Sequence, residues 1–160
     1  MTLQSTETPA ELPLHDFITR KEEGGLKFYR ECLKKTNQFS AKFILAKVIE
    51  EHQTHVRTLK TYFNDNKAGT IRPDIYSQIE KRHRYQDMID LFDLTCLTHL
   101  EAIKLGLKMT ARDIEFYQTL SKSAADKHVA DALEAVISIK NEHLKSLQVQ
   151  YDRLNYSNGM

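Results

Sequence analysis

Two histidines set the chemical question. His143 closes the stretch Lys140-Asn141-Glu142-His143, and His52 closes Ile49-Glu50-Glu51-His52. Each falls on the apolar stripe of its segment. The position three residues earlier, one turn back on the same stripe, is where the carboxylate of a Glu-x-x-His metal motif would stand. Two such motifs would offer imidazoles and carboxylates to transition-metal ions. Here those positions hold Lys140 and Ile49. One is a cation and the other has no donor atom, so the motif keeps its histidines and lacks its anions.

The elements that must position these residues are helical. Ile18, Glu22, Leu26, Tyr29 and Leu33 recur at steps of three and four and predict a first helix over 14–36. Gly24-Gly25 lies inside it, at about 1 kcal/mol per Gly against Ala. Residues 37–40 make a short connection, with Ser40 as N-cap. The second helix runs to about Phe63 on the stripe Leu45, Val48, Ile49, His52, Val56, Leu59, Phe63. Glu50 and Glu51 fall outside that stripe and are expected to face water, and His55 lies at its edge. After Asn64–Gly69 comes a long crossover, with short helical pieces expected at 73–79 and 87–94 and a solvated basic run, Lys81-Arg82-His83-Arg84. Thr98 and Glu101 have capping-box spacing and open a third helix on Ala102, Gly106, Met109, Thr110, Asp113, Phe116/Tyr117 and Leu120. Ser123 to Asp126 reads as a second such start. The fourth helix runs from there to about Leu154 on Leu133, Val136, Ile137, Lys140, His143, Leu144, Leu147, Tyr151 and Leu154.

Short connections join helices 1–2 and 3–4, and a long one joins 2–3. The expectation is an all-α, ferritin-like antiparallel four-helix bundle with one long crossover between helices 2 and 3. A helix of about 25 residues spans roughly 37 Å, ample for a site at mid-length. Residues 1–13 read as a flexible lead-in, 14–155 as the bundle and 156–160 as a tail.

Composition bounds the rest. The 160 residues suffice for one core, and 23 basic against 22 acidic residues give no reason to expect a nucleic-acid or membrane partner. Cys32 and Cys96 form no CxxC pair, so a reduced cytoplasmic setting is expected. No apolar run approaches the ~20 residues of a membrane span, and the N-terminus has neither the basic residues nor the apolar core of a signal peptide.

The halves echo each other. Glu22 to Tyr29 in the first helix and Thr110 to Tyr117 in the third both end in Phe-Tyr, and each is followed by a helix with an inward histidine. Over about residues 14–155 the chain thereby resembles the rubrerythrin branch of the ferritin-like family. The resemblance implies two irons held by a Glu on helices 1 and 3, seven residues before the Tyr, and by Glu-x-x-His on helices 2 and 4, with peroxide reduction or ferrous-iron oxidation as the chemistry. Glu22, His52 and His143 match that pattern, and Asp113 falls where an extra carboxylate occurs. Thr110, Ile49 and Lys140 stand where carboxylates should be, and no rubredoxin-like Cys domain accompanies them.

Three arrangements follow. Two irons would need the lost anions and are the disfavoured count. A single Fe, Zn or Mn ion could use Glu22, His52, Asp113 and His143. In the favoured arrangement Lys140 replaces the metal and pairs with Glu22 and Asp113, in a polar network with no cofactor. Tyr29 and Tyr117 are expected as core aromatics, with donation to the site as their other role. The function expected is that of a ferritin-like protein whose di-iron site is largely lost, with at most weak or single-ion binding. The alternative is a rubrerythrin-type oxidoreductase with a rearranged ligand set. A homodimer is expected by family analogy.

Overall fold

Thr36 ends the first helix by turning to extended backbone. Its N–H donates to the Cys32 carbonyl at 3.0 Å, and its hydroxyl donates to the same oxygen at 2.7 Å. This partners a carbonyl that the helix end would otherwise leave open. The computed structural model describes residues 12–65, 69–71, 74, 77, 92–124 and 126–158. Among the described residues the long helices are α1 (Leu14–Lys35), α2 (Phe39–Asp65), α3 (His99–Lys122) and α4 (Lys127–Asn158), with a 3-10 turn at Leu94–Cys96. Leu12–Pro13 pairs antiparallel with Thr70–Ile71. The architecture is an all-α four-helix bundle. The basic run at 81–84, most of the pieces expected at 73–79 and 87–94, and the first eleven residues of the lead-in lie outside the described residues.

Local chemistry explains most helix ends. α1 carries Asp16 in its first turn and Lys34 and Lys35 in its last, each of the sign the helix dipole favours. Thr98 caps α3: its hydroxyl oxygen accepts from the Glu101 N–H at 3.1 Å, and the hydroxyl donates to the Glu101 carboxylate at 3.0 Å. Two expected caps are corrected. α2 starts at Phe39, so Ser40 lies inside its first turn. α4 is capped by Asp126, whose carboxylate accepts from the His128 N–H at 2.8 Å, while Ser123 ends α3 and donates to Thr119 O at 3.2 Å. Asp is as good a cap as Ser and lies nearer the apolar run. α4 continues through Asn158, past the expected boundary at 155: Leu154 still packs on the core, and no glycine interrupts the chain before Gly159.

Two glycines are required by geometry. Gly69 has φ +84°, and its carbonyl accepts from the Leu14 N–H at 3.0 Å, tying the chain after α2 to the start of α1. At Gly106 a Cβ would stand 3.3 Å from Leu147 and 3.8 Å from Val48, so α3 approaches α4 and α2 closely there.

The apolar core is in two parts. One joins Leu14, Phe17 and Ile18 of α1 to Leu59 and Phe63 of α2, Phe116 and Leu120 of α3, and Val129 and Leu133 of α4. The other joins Phe28 and Cys32 to Ile44 and Leu45, to Ala102 and Met109, and to Leu147. Buried polar residues lie between them along every helix: Lys21 and Glu22, His52, Thr110 and Asp113, Lys140 and His143. The flanking apolar layers supply the burial energy, about 1.5–3 kcal/mol per large aliphatic side chain. The middle layer must satisfy itself.

Candidate functional site

Each helix brings one or two polar side chains to the middle layer because its stripe places them there. On α4, Lys140 sits between Ile137 and His143 on the buried face, and it is 2% exposed. Its ammonium cannot reach water from that depth, so it must find acids. Nζ donates to Glu22 Oε2 at 2.6 Å and to Asp113 Oδ2 at 3.5 Å. A second ammonium completes the group: Lys21 Nζ donates to Asp113 Oδ1 at 3.1 Å and lies 4.6 Å from the centre of the Phe116 ring. Two ammoniums face two carboxylates, so the buried charge sums to zero.

Glu22 is the centre of the layer. Beyond Lys140, its Oε1 accepts from the Tyr117 hydroxyl at 2.6 Å. His52 Nε2 lies 2.8 Å from the Glu22 carbonyl and 3.0 Å from its Oε2. Both are acceptors, so Nε2 carries the proton and donates to the two oxygens together. Burial alone would raise the Glu22 carboxyl; the Lys140 charge and the His52 contact overcome it and hold the group well below the usual carboxylate range. Burial would likewise lower Lys140, and Glu22 and Asp113 reverse it, so its pKa is raised above 10.5.

Tyr29 packs edge-on to His52, with ring centres 6.0 Å apart, and shares a hydrogen bond with the Thr110 side chain. Thr110 in turn donates to Gly106 O at 2.8 Å. Burial, reinforced by Asp113, pushes Tyr29 well above 10. Tyr117 is a core aromatic and a donor to the site at once, whereas Tyr29 is directed to Thr110.

The histidine-bearing turn of α4 faces elsewhere. His143 Nδ1 donates to Glu51 Oε2 at 2.8 Å, and its ring meets that of His55 edge-on at 5.1 Å. Glu51 is therefore half-buried against α4, correcting the expectation that it faces water. It sits beside the α2 stripe, and its flexible arm reaches across. The bond from His143 lowers the Glu51 carboxyl against the opposing effect of burial. Burial and then the charges of Lys140 and His143 depress His55 to about 4. Among the described residues, the buried His55 Nδ1 has no hydrogen-bond partner.

The structure thus brings Glu22, His52, Asp113 and Lys140 into one contact group and turns His143 away from it to Glu51. Ile49 is half-buried beside the α2 stripe. Lys21 and Glu51 were not anticipated. Lys21 could have been found from the line Ile18, Lys21, Gly25, Phe28, Cys32, which alternates steps of three and four; all but Lys21 are small or apolar. For Glu51 the only sequence signal is its spacing of four from His55.

The donor set does not fit a pair of metal ions. Both oxygens of Glu22 and both of Asp113 already accept from ammonium, phenol or imidazole donors, and two fixed cations stand between them. Dications there would meet two positive charges and find no free bridging carboxylate. Among the described residues, no three His, Cys, Asp or Glu side chains converge as a metal-binding group. No described helix is long and apolar enough to cross a membrane. No family model, curated protein or solved structure matches the chain.

Proposed function

We propose that the chain is a ferritin-like bundle, related to the rubrerythrin branch, in which a charge-balanced lysine–carboxylate layer stands in place of a di-iron site. In this reading it is a structural or partner-binding protein, with at most weak single-ion binding and no redox turnover. The observation that carries the reading is Lys140: its ammonium lies 2.6 Å from Glu22 and 3.5 Å from Asp113, joining α4 to α1 and α3 where a bridging cation would otherwise do so. Lys21 adds the second positive charge at 3.1 Å from Asp113.

The ferritin-like connectivity is supported by the two cores. The starts of α2 and α3 share one core with Phe28 and Leu147, and their ends share the other with Leu14 and Val129. α2 and α3 then run the same way, with Gly69 bonded at the Leu14 end and Leu94 packed in the opposite core. The inward histidines His52 and His143, on the second helix of each hairpin, support descent from a metal-binding repeat. The homodimer expected by analogy belongs to the same proposal and is checked by mass in solution.

Elemental analysis of protein purified without chelator from iron- and zinc-supplemented medium tests the reading. Far less than one equivalent of metal is expected, with no consumption of peroxide after ferrous iron is added. Two irons per chain with turnover would overturn the reading in favour of the oxidoreductase with a rearranged ligand set. One tightly held ion per chain would also overturn the ammonium-for-metal substitution.

A further inference from the structure

The balanced charge of the whole chain conceals a local excess. Residues 34–47 include Lys34, Lys35, Lys42 and Lys47 and no acidic residue. This stretch is the tip of the α1–α2 hairpin, and all four lysines are exposed. Phe39, the first residue of α2, is 85% exposed, and Phe43, one turn on, is 59% exposed. The last turns of α4 reach the same end, since Leu154 packs on the core that holds Ala41, Ile44 and Leu45. There Tyr156 is also exposed. Of the acids near this end, Glu31 pairs with Lys34 at 3.5 Å; Asp93, Glu101 and Asp152 keep their charge and hydrogen-bond to Thr95 at 2.8 Å, Thr98 at 3.0 Å and Gln148 at 2.9 Å; and the exposed Glu50 follows three residues after Lys47.

Two large aromatics left in water at a hairpin tip, ringed by lysines, need an occupant that is apolar inside and anionic at its surface. A second copy of the same tip would oppose four lysines to four and fits poorly. A bilayer with acidic headgroups has both properties: phenyl rings enter the headgroup–acyl boundary while lysine stems extend their ammoniums to the anionic headgroups. We infer that this end of the bundle docks on an anionic lipid surface, with Phe39 and Phe43 as the inserting residues and Lys35, Lys42 and Lys47 as the charge contacts. Docking is peripheral and reversible. Each lysine is expected to contribute about a fivefold gain in affinity and each phenylalanine about tenfold.

Co-sedimentation of the full chain with phosphatidylcholine vesicles, with and without phosphatidylserine, tests this. The expected result is binding to the serine-containing vesicles at least tenfold tighter than to the neutral ones, weakened by added salt. Phe39→Ser/Phe43→Ser should bind at least tenfold more weakly, and Lys42→Glu/Lys47→Glu should lose the preference for phosphatidylserine. Both variants change exposed side chains only, and unchanged thermal melts would show that they fold. Absent binding, equal binding to both vesicles, or full binding by the phenylalanine variant would overturn the proposal. So would binding to polyglutamate but not to vesicles, which would assign the tip to an acidic protein. A parent dimer that becomes a monomer in the phenylalanine variant, without vesicle binding by either, would assign it to a second copy.

Discussion

Lys140 and His143 lie one turn apart on α4, and each places a buried polar side chain against an acid from another helix. Their surroundings differ in completeness. Around Lys140, every charged group has an opposite charge: Glu22 with Lys140, and Asp113 with Lys140 and Lys21. Around His143, one carboxylate serves two imidazoles. Glu51 accepts the hydrogen bond from His143 Nδ1–H, and among the described residues the buried Nδ1 of His55 has no hydrogen-bond partner. The side chain of Glu22 is 1% exposed and that of Glu51 is 34% exposed. The inner group has no water to fall back on and so had to be closed. The outer one borders solvent, where the cost of an open valence is lower.

The inner group should therefore be the harder to disturb. Lys140→Met keeps the stem and removes the charge, leaving Glu22 with only His52 and Tyr117 and the layer one negative charge in excess. A loss of about 3–5 kcal/mol in urea unfolding is expected, the magnitude for breaking one side of a buried pair. Adding Glu22→Gln should recover a large part of that loss, because the uncompensated charge goes with it. A Lys140→Met protein as stable as the parent would erase the distinction between the two regions. Tyr117→Phe is the milder cut at the same place. It deletes the donor 2.6 Å from Glu22 Oε1 and should cost about 1–3 kcal/mol. It should also raise the Glu22 carboxyl, moving the acid limb of the stability curve to higher pH.

The same contrast separates the regions by pH. Glu22 is depressed below 4.5, so its contribution is present above that value and is lost as pH falls through its lower folded-state value. Lys140 is raised above 10.5, so its contribution is present below that pH and is lost as pH rises through its higher folded-state value. Between these limits the contribution of Glu22 and Lys140 is flat. His55 behaves differently. Its imidazole drops from 6.5 to about 4 on folding, so the unfolded chain binds a proton that the folded chain refuses, and stability falls from pH 6.5 toward 4. Urea melts across that window should show a slope that His55→Phe removes. A slope unchanged by His55→Phe would place the titration elsewhere.

How much of this was readable from the sequence depends on whether the information is local. The stripes of α3 and α4 are legible because apolar residues mark them on both sides: Asp113 is flanked by Met109 and Phe116, and Lys140 by Val136, Ile137 and Leu147, all of them buried. On α1, steps of four through Leu26 and Leu33 drifted off the face, whose middle runs through Lys21, Gly25 and Phe28. A lysine on that line reads as a solvated residue until its acid, 92 positions away on α3, is known. The direction of His143 was not legible at all. Its partner on α2 is a half-exposed glutamate, and only the packed distance between the helices decides whether that arm reaches.

Glu51→Gln probes that reach and should give the smallest effect. The amide oxygen still accepts from His143 Nδ1–H, so only the charge-assisted part of the 2.8 Å bond is lost. With a third of the side chain in water, screening leaves about 1 kcal/mol or less. The substitution should also remove the part of the acid-side loss of stability that the depressed Glu51 carboxyl contributes as pH falls through its folded-state value. If Glu51→Gln instead cost as much as Lys140→Met, the outer group would be as tightly coupled as the inner one, and the two would have to be treated as one continuous layer. A cost near 1 kcal/mol keeps them distinct: a closed ion lattice that fixes the helices against one another, and a looser histidine–glutamate edge facing solvent.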